Sequence, residues 1–214
     1  MSKATSQTSG GKASRKLPDI QLPRASVIWV LSELGLSGAT KRRTFVEYIK
    51  SLRKLGIPFA PGEVGLSGRG GANYSYCHLM ELALVLTLRV YNAVPDSVLS
   101  GIVSHRRSLY RHYQSAYFER TSGRGSAIVI EIPGHGVIKM EGVYLDLKLN
   151  FSGGRFVSLG PPKIISPTEA VRRFAENETA ARAFLPIKLS NLAERVVALA
   201  LRAPISRRGP RPRR

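Results

Sequence analysis

Hydrophobic positions recur at helical spacing through the first part of the chain. A first predicted helix begins near residue 23 and ends at Gly35, with apolar residues three and four positions apart. A second predicted helix covers 41–55, with Thr40 as its N-cap. Its apolar positions fall on one stripe formed by Phe45, Ile49, Leu52 and Leu55.

The pattern changes after residue 55. Segments 59–66 and 73–76 are predicted as two short strands around the glycine-rich turn 67–71, which carries Arg69 at its tip. Residues 76–92 are apolar on most sides, which is typical of a buried or shared helix. A further helix is predicted after Val94 and continues to about Phe118.

The second half of the chain alternates between apolar and polar residues. Segments 127–132, 136–140, 143–151 and 155–159 are predicted to form an antiparallel meander of three or four half-buried strands. A helix is predicted to start at Ser166 and Pro167 and to use Phe184 and Leu185 on its inner face. A last amphipathic helix covers 189–201.

These elements predict an α+β fold with four parts. Residues 1–22 are predicted to be a disordered basic arm, and 23–120 an N-terminal winged helix-turn-helix domain. Residues 121–203 are predicted to be a small antiparallel sheet with C-terminal helices that senses, dimerises or binds a partner. Residues 204–214 are predicted to be a disordered arginine-rich tail.

Charge points to a polyanionic partner. The chain has 214 residues and a formal net charge of +19, with 33 Lys and Arg against 14 Asp and Glu. Such an excess favours nucleic acid or an anionic membrane surface. No apolar run reaches the roughly 18 residues that span a bilayer, and the first residues lack an apolar signal core. The single cysteine, Cys77, allows no intramolecular disulfide, which fits a reducing compartment. Together these observations favour a cytoplasmic, nucleoid-associated protein and predict no membrane partner.

Catalytic and metal-binding patterns are missing from the sequence. The four histidines and Cys77 have no metal-ligand spacing, Gly-x-Ser-x-Gly is absent, and acidic residues are scattered. The glycine run at 67–71 lacks the following Gly-Lys-Ser/Thr of a phosphate loop. The sequence therefore predicts a binding protein without metal or cofactor rather than an enzyme.

The predicted helix 41–55 concentrates positive charge at its start. Lys41, Arg42 and Arg43 occupy the N-terminal end, where the helix dipole disfavours cations by about 0.3–1 kcal/mol each. A negatively charged partner relieves that cost. In a helix-turn-helix, the N-terminal residues of the second helix enter the major groove of DNA, and Lys41 to Thr44 have this position.

The order Leu55-Gly-Ile-Pro58, glycine-rich wing, Tyr74-Ser-Tyr76 and leucine-rich helix resembles the MerR-type winged helix-turn-helix over residues 26–105. The resemblance implies binding to duplex DNA, usually as a homodimer. Leu79, Leu82 and Leu86 fall where that family has core leucines. The wing tyrosines are one residue closer together than usual, Ser75 replaces an arginine, and the second helix is longer. Neither the dimerising coiled coil nor the metal-binding cysteines follow, so metal sensing is not implied.

The primary prediction is a sequence-specific transcriptional regulator of double-stranded DNA, with a recognition helix at 41–55 and a wing at 59–76. Two alternatives stay open: an excisionase-like architectural protein of a mobile element, and an RNA- or ribosome-binding protein. The sequence names no effector and does not fix the role of 126–202. The predicted DNA-binding residues are Lys41, Arg42, Arg43, Thr44, Tyr48, Lys50, Arg69, Asn73, Tyr74, Tyr76, Arg106 and Arg107.

Overall fold

A computed structural model describes residues 16–60, 72–122, 127–132, 136–152, 155–176 and 182–204. Seven helices and eight strands lie in these ranges, and the predicted α+β class is confirmed. The helices are α1 Arg24–Glu33, α2 Arg42–Lys54, α3 Tyr76–Asn92, α4 Asp96–Leu99, α5 Gly101–Ser122, α6 Pro167–Glu176 and α7 Leu189–Arg202. The strands are β1 Leu22–Pro23, β2 Asn73–Tyr74, β3 Ala127–Ile132, β4 Gly136–Glu141, β5 Tyr144–Ser152, β6 Arg155–Leu159, β7 Lys163–Ile165 and β8 Arg182–Lys188.

Helix α3 is the centre of the hydrophobic core. Every residue from Leu79 to Leu86 is fully buried, which confirms the prediction of a helix that is apolar on most sides. The Ser75 hydroxyl accepts from the His78 N–H, and the Ser75 N–H donates to His78 Nδ1, so the first turn is capped in both directions. Ala93, in the left-handed conformation, ends the helix.

Helix α7 belongs to the same core as the N-terminal helices. Its buried residues Leu189, Ala193, Val196 and Ala200 follow one stripe, and it packs against α1, α3 and α5. One cluster of buried side chains includes both this stripe and the α3 leucines. The predicted division at 120/121 therefore does not separate two cores, because the last helix buries its apolar face against the first helices.

The larger sheet is built around β5. Strand β8 pairs with β5 from Tyr144 to Asn150 on one side, while β7 and then β6 pair with it on the other side. Leu145, Leu147 and Leu149 are buried, as the alternation predicts. Asp146 is also buried, because α6 covers the other face and Arg173 forms an ion pair with it.

Two predictions for the second half are wrong. Strands β3 and β4 form a separate two-stranded hairpin instead of continuing the meander. The predicted helix from Ser166 to Leu185 is also shorter, because α6 ends at Glu176 and 182–188 is strand β8. The chain from 182 to 188 is a strand because it pairs with β5 along seven residues.

The predicted N-terminal arm and wing are corrected in part. Strand β1 pairs in antiparallel fashion with β2, and Ile20 and Leu22 are buried, so 16–22 is packed rather than disordered. The second predicted wing strand thus pairs with the N-terminal segment, and 59–60 does not form a strand. The rest of the wing with Arg69, residues 1–15 and residues 205–214 lie outside the described residues.

Gly142 has a steric requirement in the turn between β4 and β5. Its φ is +86°, and a Cβ added there would lie 2.1 Å from Ser190 Oγ, which can rotate away, and 3.0 Å from Ser190 Cβ, which cannot. We expect Gly142→Ala to destabilise the fold by more than the roughly 1–2 kcal/mol of a left-handed alanine alone, measured by urea unfolding. Gly38→Ala is the matched control, since Gly38 has φ +55° but its added Cβ meets its nearest atom at 3.9 Å. Equal losses for both variants would exclude the clash with Ser190.

Candidate nucleic-acid interface

Helix α2 has one buried face and one exposed, positively charged face. Phe45, Ile49 and Leu52 are buried in the core, as the sequence predicts. The exposed face carries five cations and the single carboxylate of Glu47, which contacts Lys50. The exposed cations are Lys41, Arg42, Arg43, Lys50 and Lys54.

The N-terminal end of α2 is open to solvent. The N-cap residue is Lys41 instead of the predicted Thr40, and no side chain caps the helix. Within the described part of the chain, Lys41, Arg42 and Arg43 form no ion pair with a carboxylate. Thr44 is exposed beside them. Uncapped N–H groups and unpaired cations together make this end of the helix attractive to an anion.

Two further cations approach α2 from other helices. Arg24 of α1 donates from Nη2 to the Val46 carbonyl at 3.5 Å. Arg89 of α3 lies over the ring of Tyr48, with its guanidinium carbon 3.4 Å from the ring centroid, and forms an ion pair with Asp96 at 3.3 Å. The approach of these two arginines to α2 was not predicted, because residues so far from α2 in the chain show no local signal of their proximity.

Tyr48, which was predicted to contact DNA directly, is half-buried beside the charged face of α2 and makes its contacts within the protein. Its hydroxyl donates to Asp96 Oδ1 at 3.4 Å, and Arg89 covers its ring. Burial raises the pKa of the Tyr48 hydroxyl above its usual value. With its ring covered and its hydroxyl engaged, Tyr48 holds Arg89 and the start of α4 against α2.

The two predicted wing tyrosines are core residues. Tyr74 is fully buried and packs edge-on against Phe59, with ring centroids 4.8 Å apart. Tyr76 is buried, and its hydroxyl donates to the Tyr113 carbonyl at 2.9 Å. Their predicted contact with DNA is therefore wrong, because both side chains are enclosed by the protein. Asn73 is exposed in β2, as a contact residue requires.

Arg106 and Arg107 have different roles although they are neighbours in α5. Arg106 forms an ion pair with the fully buried Glu81 at 2.7 Å and donates to the Gly56 carbonyl at the end of α2. Its predicted role in DNA binding is wrong, because its guanidinium is directed into the protein. Arg107 is exposed, and so is Arg111 one turn later, which the sequence analysis did not select.

Electrostatic interactions link α1 to the charged face of α2. The pKa of Glu47 is lowered, first by its hydrogen bond with Lys50 and further by the charges of Arg24 and Arg43. Glu47 therefore stays ionised at neutral pH and offsets part of the local positive charge. The remaining positive charge is concentrated at Lys41 and Arg42, which are the residues at the helix start that lie farthest from Glu47.

A cleft lies at the start of α7. This cleft has a volume of about 140 Å³, and its lining carries the three carboxylates of Glu119, Glu141 and Glu194 against the two cations of Arg120 and Lys188. Arg120 contacts Glu194 at 2.8 Å, and Lys139 outside the cleft contacts Glu141 at 3.1 Å. A lining with more carboxylates than cations gives a polyanion little to bind, so the cleft is a weaker candidate than α2.

The described residues contain no group of three His, Cys, Asp or Glu side chains placed to hold a metal ion. Among the helices of the described ranges, none combines the length and the apolar character that crossing a bilayer demands. No protein-family model, curated protein or solved structure significantly matches this chain.

Proposed function

We propose that this protein is a sequence-specific regulator that binds double-stranded DNA through α2. The observation that carries the proposal is the exposed cationic face of α2, whose three N-terminal cations have no carboxylate partner among the described residues. The opposite face is fixed in the core by Phe45, Ile49 and Leu52. A rigidly held helix with a charged outer face suits groove recognition.

The dimensions of α2 support this assignment. Thirteen residues form a helix about 20 Å long, and the major groove of B-DNA is about 12 Å wide and admits an α-helix. Arg42, Arg43 and Thr44 are assigned to base edges. Lys50, Lys54 and Arg89 lie farther along or beside the helix and are assigned to phosphates.

The proposal keeps the winged helix-turn-helix arrangement and the homodimer that the MerR-type resemblance implies. Asn73 supports the wing part of it, because Asn73 is exposed at the base of the 61–71 segment, whose Arg69 is assigned to a backbone phosphate. Pairing of β2 with β1 fixes this base to the residues that lead directly into α1. Because Arg24 of α1 also contacts α2, the proposed wing and the recognition helix are both joined to α1.

An architectural, excisionase-like role on DNA is the second candidate. The exposed pair Arg107 and Arg111 on α5 favours it, because a separate cationic face allows a second contact with bent DNA. Adjacent binding sites accompanied by bending would distinguish this role from regulation at one operator.

The test is selection from a random duplex pool, followed by titration of the selected duplex and of a structured RNA across a salt series. We expect one enriched motif and a preference for that duplex that persists as salt is raised. Equal binding to all sequences, lost uniformly with salt, would overturn sequence-specific recognition. Preference for the structured RNA would favour the third alternative, RNA or ribosome binding.

A further inference from the structure

The cleft at the start of α7 forms where separate parts of the chain converge. Glu119 comes from the end of α5, while Glu141 and Gly142 come from the end of β4 and the turn after it. Lys188 ends β8, and Ser190 lies in the first turn of α7. The volume of about 140 Å³ has room for about ten water molecules, since each needs roughly 10–15 Å³. A polar molecule of amino-acid size therefore fits.

Ser190 brings a buried hydroxyl group to this cleft. The residue is only 3% exposed. Its N–H donates to the Val143 carbonyl at 3.4 Å, but within the described ranges its Oγ forms no hydrogen bond. Buried polar groups almost always have a partner, so an unsatisfied hydroxyl that lines a cleft indicates a ligand.

Lys188 lies beside Ser190 in the cleft. Ser190 Oγ and Lys188 Cε lie 2.1 and 4.0 Å from the point where a Cβ on Gly142 would stand. Lys188 is half-buried and forms no ion pair with a carboxylate in the described part of the chain. No side chain caps α7 at this end. A cation, a hydroxyl group and an uncapped helix start together suit the carboxylate group of a ligand.

The other charged groups of the cleft suit a ligand cation. Arg120 holds Glu194 at 2.8 Å and lies 3.9 Å from Glu141, which also contacts Lys139 at 3.1 Å. The hydrogen bond from Lys139 is the first cause that lowers the pKa of Glu141, so this carboxylate is ionised at neutral pH. Such exposed ion pairs are weak, and a ligand can join them.

The cation that these carboxylates suit is an organic one. Glu119, Glu141 and Glu194 all lie in the described part of the chain, where no three acidic, His or Cys side chains are placed to hold a metal ion. An ammonium group needs no such coordination sphere, because each of its N–H groups donates to a separate acceptor. The cleft therefore offers groups for both a carboxylate and an ammonium.

We propose that the cleft binds a small molecule that carries both a carboxylate and an ammonium group, an amino acid or a close chemical relative. The ligand carboxylate lies at Lys188, Ser190 and the start of α7. The ligand ammonium lies at Glu119 and Glu141. The described lining comes from α5, α7 and the ends of β4 and β8 rather than from α2, so the proposal does not depend on DNA binding.

Calorimetric titration of the full-length protein with each of the common L-amino acids tests the ligand class. The tightest-binding amino acid is then compared with the amine that lacks its carboxylate and with the acid that lacks its amino group. We expect each analogue to bind at least about tenfold more weakly, because each leaves one set of charged groups in the cleft without its partner. Absence of binding by every amino acid would overturn the proposal. So would equally tight binding of either analogue or of inorganic phosphate.

Two substitutions test the placement of the ligand. Lys188→Gln is expected to remove the advantage of the amino acid over the amine, and Glu119→Gln its advantage over the acid. Lys163→Gln and Glu33→Gln are the matched controls, because both residues are exposed, in β7 and α1, and lie outside the cleft. Circular dichroism verifies that each variant is folded. Unchanged affinities in the two cleft variants, or equal losses in the controls, would place the ligand elsewhere and overturn the proposal.

Discussion

Arg42→Ala combined with Arg43→Ala is expected to weaken binding to the selected duplex by a factor of about 30 or more. Each arginine that contacts a base edge contributes about 1–3 kcal/mol of discrimination, so the pair accounts for at least about 2 kcal/mol. Both side chains are exposed and have no ion-pair partner in the described part of the chain. Affinity is measured by fluorescence anisotropy with the selected duplex and with a random duplex.

The fold is expected to survive this double substitution. Exposed substitutions change the free energy of unfolding by less than about 0.5 kcal/mol, and removing cations from a helix N-terminus is, if anything, stabilising. Arg155→Ala with Arg195→Ala removes the same charge from exposed positions on other elements. Equal loss of affinity in both double variants would mean that overall charge, not α2, determines binding.

Arg106→Ala is expected to lower the free energy of unfolding by about 3–5 kcal/mol. The substitution leaves the Glu81 carboxylate, which is fully buried, without its 2.7 Å ion-pair partner. It also removes the hydrogen bond to the Gly56 carbonyl, where the chain leaves α2. Urea unfolding followed by circular dichroism measures the effect.

The neighbouring residue provides the control for this prediction. Arg107→Ala removes the same side chain from an exposed position on the same helix and is expected to leave stability within about 0.5 kcal/mol of wild type. Glu81→Gln combined with Arg106→Met removes both charges and is expected to recover part of the loss, since no unpaired buried charge remains. If Arg106→Ala lowered the free energy of unfolding by less than about 1 kcal/mol, the prediction would be wrong, and water would be compensating the Glu81 carboxylate for the lost ion pair.

Long periodic segments were predictable from the sequence. The stripe of α2, the apolar run of α3 and the stripe of α7 each repeat an apolar residue over several turns, and one tertiary contact cannot reverse such a pattern. The exposure of Lys41 to Thr44 follows directly, because these residues precede or oppose the buried stripe. Recognition of DNA by this face stays a prediction.

Short segments depended on partners that the local sequence does not reveal. β8 is a strand because it pairs with β5 along seven residues, although its apolar residues also fit a helical face. Tyr74 and Tyr76 resemble wing residues by their place after the glycine-rich segment, but Tyr74 packs against Phe59 and Tyr76 hydrogen-bonds to the α5 backbone. The approach of Arg24 and Arg89 to α2 depends on how three helices pack, which no single stretch encodes.

The position of α7 determines what a shortened chain can do. A fragment that ends at residue 120 retains α2 but lacks the helix that covers α1, α3 and α5, so their apolar surfaces face water. Such a fragment is expected to aggregate instead of competing with the intact protein for its binding sites. A premature stop codon in the second half of the gene would then act as a simple loss of function, not as a dominant inhibitor.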